Sequence, residues 1–400
     1  MARLDPFRPT VYEPSRVDAD DVIAPPYDVV GPRERASLAA RSPYNAIHVE
    51  LPVEGPDELT DPYTAAARLF ASWHEDGAVR VHERPAMALY RMTFATEDGG
   101  VRTTTGVLGA LGLDPAGTGE VLPHEQTTPK DKYDRLSLLR AARTNFSPIW
   151  ALTLADGFGK ACDEAISGAG EPWRATDDEG VLHERWLVDD PGALESLTSL
   201  VATTPALIAD GHHRYETACT YLEEHPGQPG AEAALAFVVE LSEEHLFVQA
   251  IHRLVRGVDP SGFAGDLSSW FDVSEGPGDD GRLSDAMIEE GALGLLTTAG
   301  SWLLRPTRRL LERAADDLDS SRLQVALADL GLTDVGFQHG VVNCRRALAG
   351  GMADAAVLLR PVSVEQIEKT AEGARRMPPK TTFFAPKPRT GMVFRELDPA

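Results

Sequence analysis

The chain has 400 residues, with 38 Lys+Arg against 62 Asp+Glu and a formal net charge of −24. That balance argues against a non-specific nucleic-acid binder, which needs surplus cations to displace counterions from phosphates, and it disfavours an anionic membrane surface. Hydrophobic residues at 42% and charged residues at 25% describe a folded chain of two or three domains, able to bury a core without disulfides or structural metal. Cys162, Cys219 and Cys344 form no Cys-x-x-Cys pair, so neither a disulfide framework nor a zinc knuckle is expected. No signal-type apolar core and no membrane-length apolar run occurs, so a cytoplasmic location is expected.

The Pro-rich opening segment, residues 1–30, contains Ala24-Pro25-Pro26-Tyr27-Asp28. It reads as a short apolar run ending in a rigid loop that offers a phenol and a carboxylate, either a pocket wall or a plain turn. A short helix follows from Pro32 to Arg41, then an alternating, strand-like Ala46 to Leu51. Residues 60–76 form an amphipathic helix with Thr60 as N-cap, and 86–113 a hairpin turning at Glu97 to Gly100,. A helix begins at Leu136, a strand runs from Pro148, and 157–174 are helical. Strand 181–188, helix 191–200 and a buried strand from Pro205 lead into a helix ending at Glu224. A second hairpin is expected over 234–255,.

Beyond a soft boundary near residue 258 come a strand pair over 293–305, a helix over 317–330, a strand over 355–360 and a helix over 364–375. The expected organisation is a catalytic or nucleotide-binding α/β domain over 1–258 and a smaller α/β region over 259–400. The arm 376–400 is too Pro-rich for a helix and too apolar for a free tail, so it is expected to return to the core. Strands, helices and hairpins in this mixture predict a mixed α+β fold, not a doubly wound sheet.

Three segments concentrate chemistry. In Asp210-Gly211-His212-His213-Arg214 a buried strand turns directly into a helix. Unpaired N–H groups and the positive dipole end there favour an anion. Gly211 lets the backbone approach closely, Arg214 can fork onto phosphate oxygens, and the histidines add donors or shuttle a proton. Asp210 either binds a metal, orients a hydroxyl or simply caps the helix. The second segment, His124 to Arg135, holds Glu125 as a candidate base or metal ligand and Lys130 among its cations,. It reads equally as a solvated charge cluster. The third, Met377 to Phe384, offers Lys380 and Thr381 to a phosphate, or packs Phe383 and Phe384 on the core. Only six residues are lysine, and four of them (Lys130, Lys132, Lys380, Lys387) lie in 127–135 and 378–389; such clustering in an arginine-rich chain marks candidates for a specific role.

Taken together, Val22 to Val30, His124-Glu125 with Lys132 to Arg135, Ile208 to Ala218 and Met377 to Phe384 resemble the marks of a bacterial family known as domain of unknown function 1015. The Asp210 to Arg214 stretch in turn resembles that of free-serine kinases with a ParB/sulfiredoxin-like fold. What the resemblance implies is a ParB/sulfiredoxin-like core, ATP or ADP with Mg²⁺ as cofactors, and phosphoryl transfer to a small hydroxyl compound, L-serine above all. It places Asp210, His212, His213 and Arg214 at the nucleotide phosphates and metal, and Glu125 as the base. The residues' own chemistry adds Gly211, Lys130, Lys380 and Thr381 as phosphate contacts and has Asp210 hold Mg²⁺ or orient the acceptor. The alternatives are a ParB-type module that senses CTP without acceptor chemistry, and a metal-dependent phosphoesterase. A small-molecule partner is expected, with homo-oligomerisation left open.

Overall fold

A computed structural model describes residues 1–53, 60–96, 99–123, 129–278, 280–372, 378 and 380–398, and the fold is mixed α+β. The chain divides into two units, Met1–Phe247 with Pro386–Ala400, and Val248–Ala385. In the first unit nine strands among the described residues form one sheet. Their order is Val121–Pro123, Ala206–Asp210, Ile149–Thr153, Ala233–Glu240, Val101–Gly112, Met87–Ala95, Leu182–Val188, Trp173–Thr176, with Leu4–Asp5 alongside Val101–Gly112.

The two faces of this sheet differ because side chains alternate along every strand. One face carries Met87, Leu89, Val107, Ile149, Ala151, Ile208, Ala236 and Val238. Phe158, Leu197, Tyr215 and Ala218 cover it from helices Phe158–Ser167, Pro191–Val201 and His212–Glu224. The other face is aromatic: Phe237 lies 5.0 Å from Tyr90 and 5.7 Å from Trp150, ring centre to ring centre. A separate cluster of Tyr12, Phe70, Trp73, Phe146 and Phe394 seats helix Pro62–Glu75. The carboxylate of Asp61, one residue past the expected Thr60, caps that helix by accepting from the N–H groups of Tyr63 and Thr64.

Three expected elements differ. Ala46 to Leu51 is not a strand; Ile47–Glu50 is a helical turn. Asn45 Oδ1 accepts from the Ile47 N–H at 2.9 Å, and this local bond outcompetes the strand-like alternation,. Residues 234–255 do not form a hairpin. Ala233–Glu240 already has a neighbour on each side, Val101–Gly112 antiparallel and Ile149–Thr153 parallel, so no edge is left. Val248–Val255 instead joins the second unit's sheet. The helix expected from Leu136 starts earlier, at Pro129, a residue suited to a first helical position,.

The second unit holds a sheet ordered Phe271–Glu275, Ser301–Pro306, Leu293–Thr297, Ala355–Leu358, Val248–Val255, Val335–His339, with Thr382–Phe384 beside Val248–Val255. Phe263, Trp270, Phe271, Leu295, Leu304 and Val357 lie in its core.

From Pro386 the chain belongs again to the first unit and lies across it as a strap. Thr390 bridges Ala24, Phe394 bridges Thr10, and Arg395–Glu396 pairs with Thr144–Asn145. Arg395 donates to the carbonyls of Ala233 and Gly230 at 2.9 and 2.8 Å. A buried ring of hydrogen bonds fixes the strap to the aromatic side. The Arg389 N–H donates to Tyr90 Oη at 3.2 Å, and Tyr90 Oη–H donates to His183 Nδ1 at 2.7 Å. His183 Nε2–H then donates to Asp177 Oδ2 at 2.9 Å, and Arg389 Nε returns to that oxygen at 2.7 Å. Only the neutral Nε2–H imidazole satisfies both of its neighbours.

Two expectations follow. A methyl group on Gly106 lies 2.3 Å from the Val238 carbonyl oxygen and 2.9 Å from the Phe237 ring. Gly106→Ala should therefore cost about 1–3 kcal/mol, read as a lower urea midpoint. Burial holds the His183 pKa below its usual 6.5 against the pull of Asp177. Its contribution to stability is complete above pH 6.5 and is lost as pH falls through the lowered folded value. The urea midpoint should decline below pH 6.5 in the native protein, and His183→Gln should flatten that decline while lowering the plateau.

Candidate functional site

The site is built at the end of strand Ala206–Asp210. Ile208 pairs with Ala151 and Asp210 with Trp150, so Ala209 is an extra residue, a bulge in the ladder,. Its effect is geometric. Cross-strand partners face the same way, and Ile208 and Ala151 face the helix-covered core. Without the bulge Asp210 would share that direction. With it, Asp210 turns with Trp150 to the opposite, strap-bearing side.

Gly211 follows at φ +87°, a left-handed conformation, and His212 begins the helix. A Cβ here would also lie 2.9 Å from Arg214 Nε. Glycine thus supplies both the turn and the space into which Arg214 folds back. Asp210 does not cap the helix; Gly211 holds the cap position and no side chain bonds there.

Both oxygens of Asp210 meet cations. Arg214 Nη2 donates to Oδ2 at 3.0 Å, and Lys387 Nζ is ion-paired with Oδ1. The remaining Arg214 terminal nitrogen, Nη1, donates to the Pro148 carbonyl. Lys387 also lies 3.8 Å from Asp28 Oδ2. Burial by itself would raise the Asp210 pKa, but Lys387 and Arg214 overcome it and hold the carboxylate well below its ordinary range. Burial likewise opposes the charge on Lys387, yet Asp210 and Asp28 keep it raised. The Pro25-Pro26 loop therefore is a wall of this site. Its Tyr27 ring lies 4.1 Å from the Arg135 guanidinium carbon and 5.9 Å from that of Arg214, both over its face,.

Beside this cluster lies Glu50, buried, with Oε1 accepting from Ser147 Oγ at 2.7 Å and lying 3.8 Å from Arg135 Nη1. Burial pushes its pKa up, against Arg135 and Arg214. Arg135 donates to the Glu50 carbonyl at 2.7 Å and through Nε to Asp134 at 2.9 Å.

Of the residues expected in the site, the structure joins Asp210, Gly211 and Arg214 and sets His212, buried, and His213, half-buried, in the helix's first turn. Glu125 lies outside the described residues. Lys130 is in the first turn of helix Pro129–Ala142, its side chain likewise outside them. Lys380 and Thr381 belong to the second unit. Thr381 is 5% exposed, and its hydroxyl donates to the Pro378 carbonyl at 2.6 Å and meets Ser320 Oγ at 3.2 Å.

Lys387 is one of the clustered scarce lysines that the sequence marks as candidates, with no role assigned to it there. Glu50 went unpredicted and carried no signal, because its strand-like segment turned out to be a helical turn.

Asp210 was also expected to hold Mg²⁺. That ion takes near-octahedral oxygen ligands at about 2.0–2.1 Å. Both Asp210 oxygens are already engaged by cations, and no group of three His, Cys, Asp or Glu is gathered for a metal among the described residues. The arrangement does not fit a preformed magnesium site; Asp210 is an ion-pair partner for Lys387 and Arg214.

The pairing predicts an asymmetry. Asp210→Asn strands two buried cations and should cost about 3–5 kcal/mol. Lys387→Met leaves Asp210 its Arg214 partner and should cost less. Equal losses in chemical denaturation would refute the shared ion pair.

The chain matches the family described as Protein of unknown function (DUF1015) over residues 4–325. No curated protein matches its sequence. Among solved structures, it is similar to a conserved hypothetical protein from Pyrococcus furiosus at 16% identity and a TM-score of 0.36, covering 70% of this chain and 92% of that one. A free serine kinase in complex with AMP is similar at 14% identity and 0.36, covering 66% and 84%. SbnI with C-terminal truncation, from Staphylococcus aureus, is similar at 12% identity and 0.39, covering 71% and 85%. With more than half of its length matched, the chain belongs to the DUF1015 family.

Proposed function

We propose that this protein is a small-molecule kinase that moves a phosphoryl group from ATP or ADP to the hydroxyl of a small acceptor, L-serine first among them. The observation that carries the reading is the turn at 210–214, where a bulge, a left-handed glycine and a 13-residue helix bring Arg214 and Lys387 onto one carboxylate. The Asp-Gly-His-His-Arg resemblance to free-serine kinases points the same way.

Phosphoryl transfer depends on positioning and charge neutralisation more than on covalent chemistry. Asp210 holds two cations in place before the nucleotide arrives, so little reorganisation remains when charge builds on the phosphate oxygens. Arg214, its terminal nitrogens held by Asp210 and the Pro148 carbonyl, contributes a fixed positive charge, and Lys387, between Pro386 and Pro388, a point charge on a stiff backbone,. The Gly211 turn and the helix N-terminus supply N–H donors. In the reaction the acceptor oxygen bonds to the terminal phosphorus and the bond to the bridging oxygen breaks. The hydroxyl proton passes to Glu125, and the shortened nucleotide leaves with the bridging electron pair. Magnesium in this reading travels on the nucleotide's phosphates.

Incubation of the full chain with ATP or ADP, Mg²⁺ and L-serine should yield O-phosphoserine by mass spectrometry. Glu125→Gln should lower the rate about 10²–10⁴-fold with nucleotide affinity retained. No transfer to serine or a related hydroxyl compound from either nucleotide overturns the reading. Tight CTP binding without transfer would instead identify a sensing module, and phosphate release without an acceptor a phosphoesterase.

A further inference from the structure

The loop Ala24-Pro25-Pro26-Tyr27-Asp28 stands beside the Asp210 cluster, and its shape is fixed from its base. Ala24 exchanges both backbone hydrogen bonds with Thr390 of the strap, at 3.1 and 2.8 Å. Two prolines then narrow the backbone. Tyr27–Val29 closes a 3₁₀ turn in which the Val29 N–H donates to the Pro26 carbonyl at 3.2 Å. The Tyr27 N–H donates to Glu50 Oε1 at 3.4 Å. Backbone contacts on both sides therefore place the Tyr27 ring.

It is the face of this ring, and not the hydroxyl, that meets cations. The Arg135 guanidinium carbon lies 4.1 Å from the ring centre and that of Arg214 5.9 Å, both within the roughly 6 Å reach of a cation–π contact. Two like charges thus share one side chain. Both are largely out of water, the Arg135 side chain 5% exposed and that of Arg214 10%, where their mutual repulsion is poorly screened. Asp134 answers one charge and Asp210 the other. Glu50 faces both arginines, but burial pushes its pKa up and so weakens it as a counter-ion. The aromatic face is negative, and the ring stays neutral because burial holds the phenol well above its ordinary range. An aliphatic side chain of similar bulk would fill the space without attracting either cation.

We infer that Tyr27 is a positioning residue of the candidate site, its ring holding Arg214 and Arg135 together so that their charges act jointly on an anionic ligand. The ring touches no reacting atom and acts through the two arginines. Asp210 and the Pro148 carbonyl fix Arg214 at its terminal nitrogens, and Asp134 and the Glu50 carbonyl fix Arg135. The ring supplies what those bonds do not, an attraction common to both charges that offsets their repulsion. Charge held in place before the ligand arrives needs little reorganisation afterwards. That the ligand is a nucleotide phosphate rests on the kinase reading above, whereas the ring's hold on the arginines rests on the geometry alone.

Calorimetry with ADP on the full chain tests it, with position 27 varied in electrostatics at nearly constant shape. Tyr27→Phe keeps the ring and should bind ADP within about twofold of the native chain. Phenylalanine analogues carrying one, two or three ring fluorines at position 27 withdraw charge from the face stepwise. ADP affinity should fall with each fluorine and reach a loss of about three- to tenfold at the third. Tyr27→Leu should lose as much; if that variant does not fold, the fluorine series decides alone. A ring that only packs would leave the series flat, and a flat series, or native-like ADP affinity in Tyr27→Leu, overturns the inference. O-phosphoserine formation alongside a flat series would sink this inference and spare the kinase. ADP affinity that falls with each fluorine, in a protein that transfers no phosphoryl group, would do the opposite.

Discussion

One carboxylate with two cations organises this protein's candidate site. Asp210 sits largely out of water, where an isolated charge is costly. Its charge persists because Lys387 and Arg214 approach both oxygens, and their charges persist because Asp210 is there. Each neighbouring feature serves that meeting. The bulge at Ala209 turns Asp210 to the correct face. Gly211 leaves space for Arg214 to fold back. The strap brings Lys387 from a part of the chain 177 residues away.

The strap is therefore more than a terminal tail packed for stability. Its attachment is redundant, with two isolated bridges, a short strand pair, the Arg395 fork and the ring through Tyr90, His183 and Asp177. Redundancy of this kind restricts where Lys387 can stand. A lysine on a mobile tail would spread its charge over a large volume and contribute little to an oriented site. Arg389 is two residues from Lys387 and closes the ring with both its backbone N–H and its side chain. The aromatic sheet face has two roles in consequence: Phe237 and Tyr90 pack over Gly106, and the Tyr90 hydroxyl receives the strap.

Charge also explains the division between the two sides of Arg214. Its terminal nitrogens are committed to Asp210 and the Pro148 carbonyl, which fixes the plane of the guanidinium. Its Nε lies against Gly211, where a Cβ would stand 2.9 Å from it. Lysine at this position could not divide its contacts this way, because it has no planar fork.

Much of this was legible in the residues themselves. The strand from Pro205, the turn at Asp210 and Gly211 and the helix to Glu224 follow from apolar runs and a glycine at a point of reversal. So do the 86–113 hairpin and the mixed α+β character, because local patterning sets local structure. The strand-like Ala46 to Leu51 misled because one Asn45 hydrogen bond outweighs a six-residue alternation. The expected hairpin over 234–255 failed because pairing depends on which edges are open, and Ala233–Glu240 has none. The sequence by itself determined the short strand-to-helix segment in which Asp210 and Arg214 lie. Only the tertiary structure decided that Lys387 would be its second cation and Glu50 its neighbour, since long-range contacts between charges are set by how the chain returns on itself, which no local spacing records.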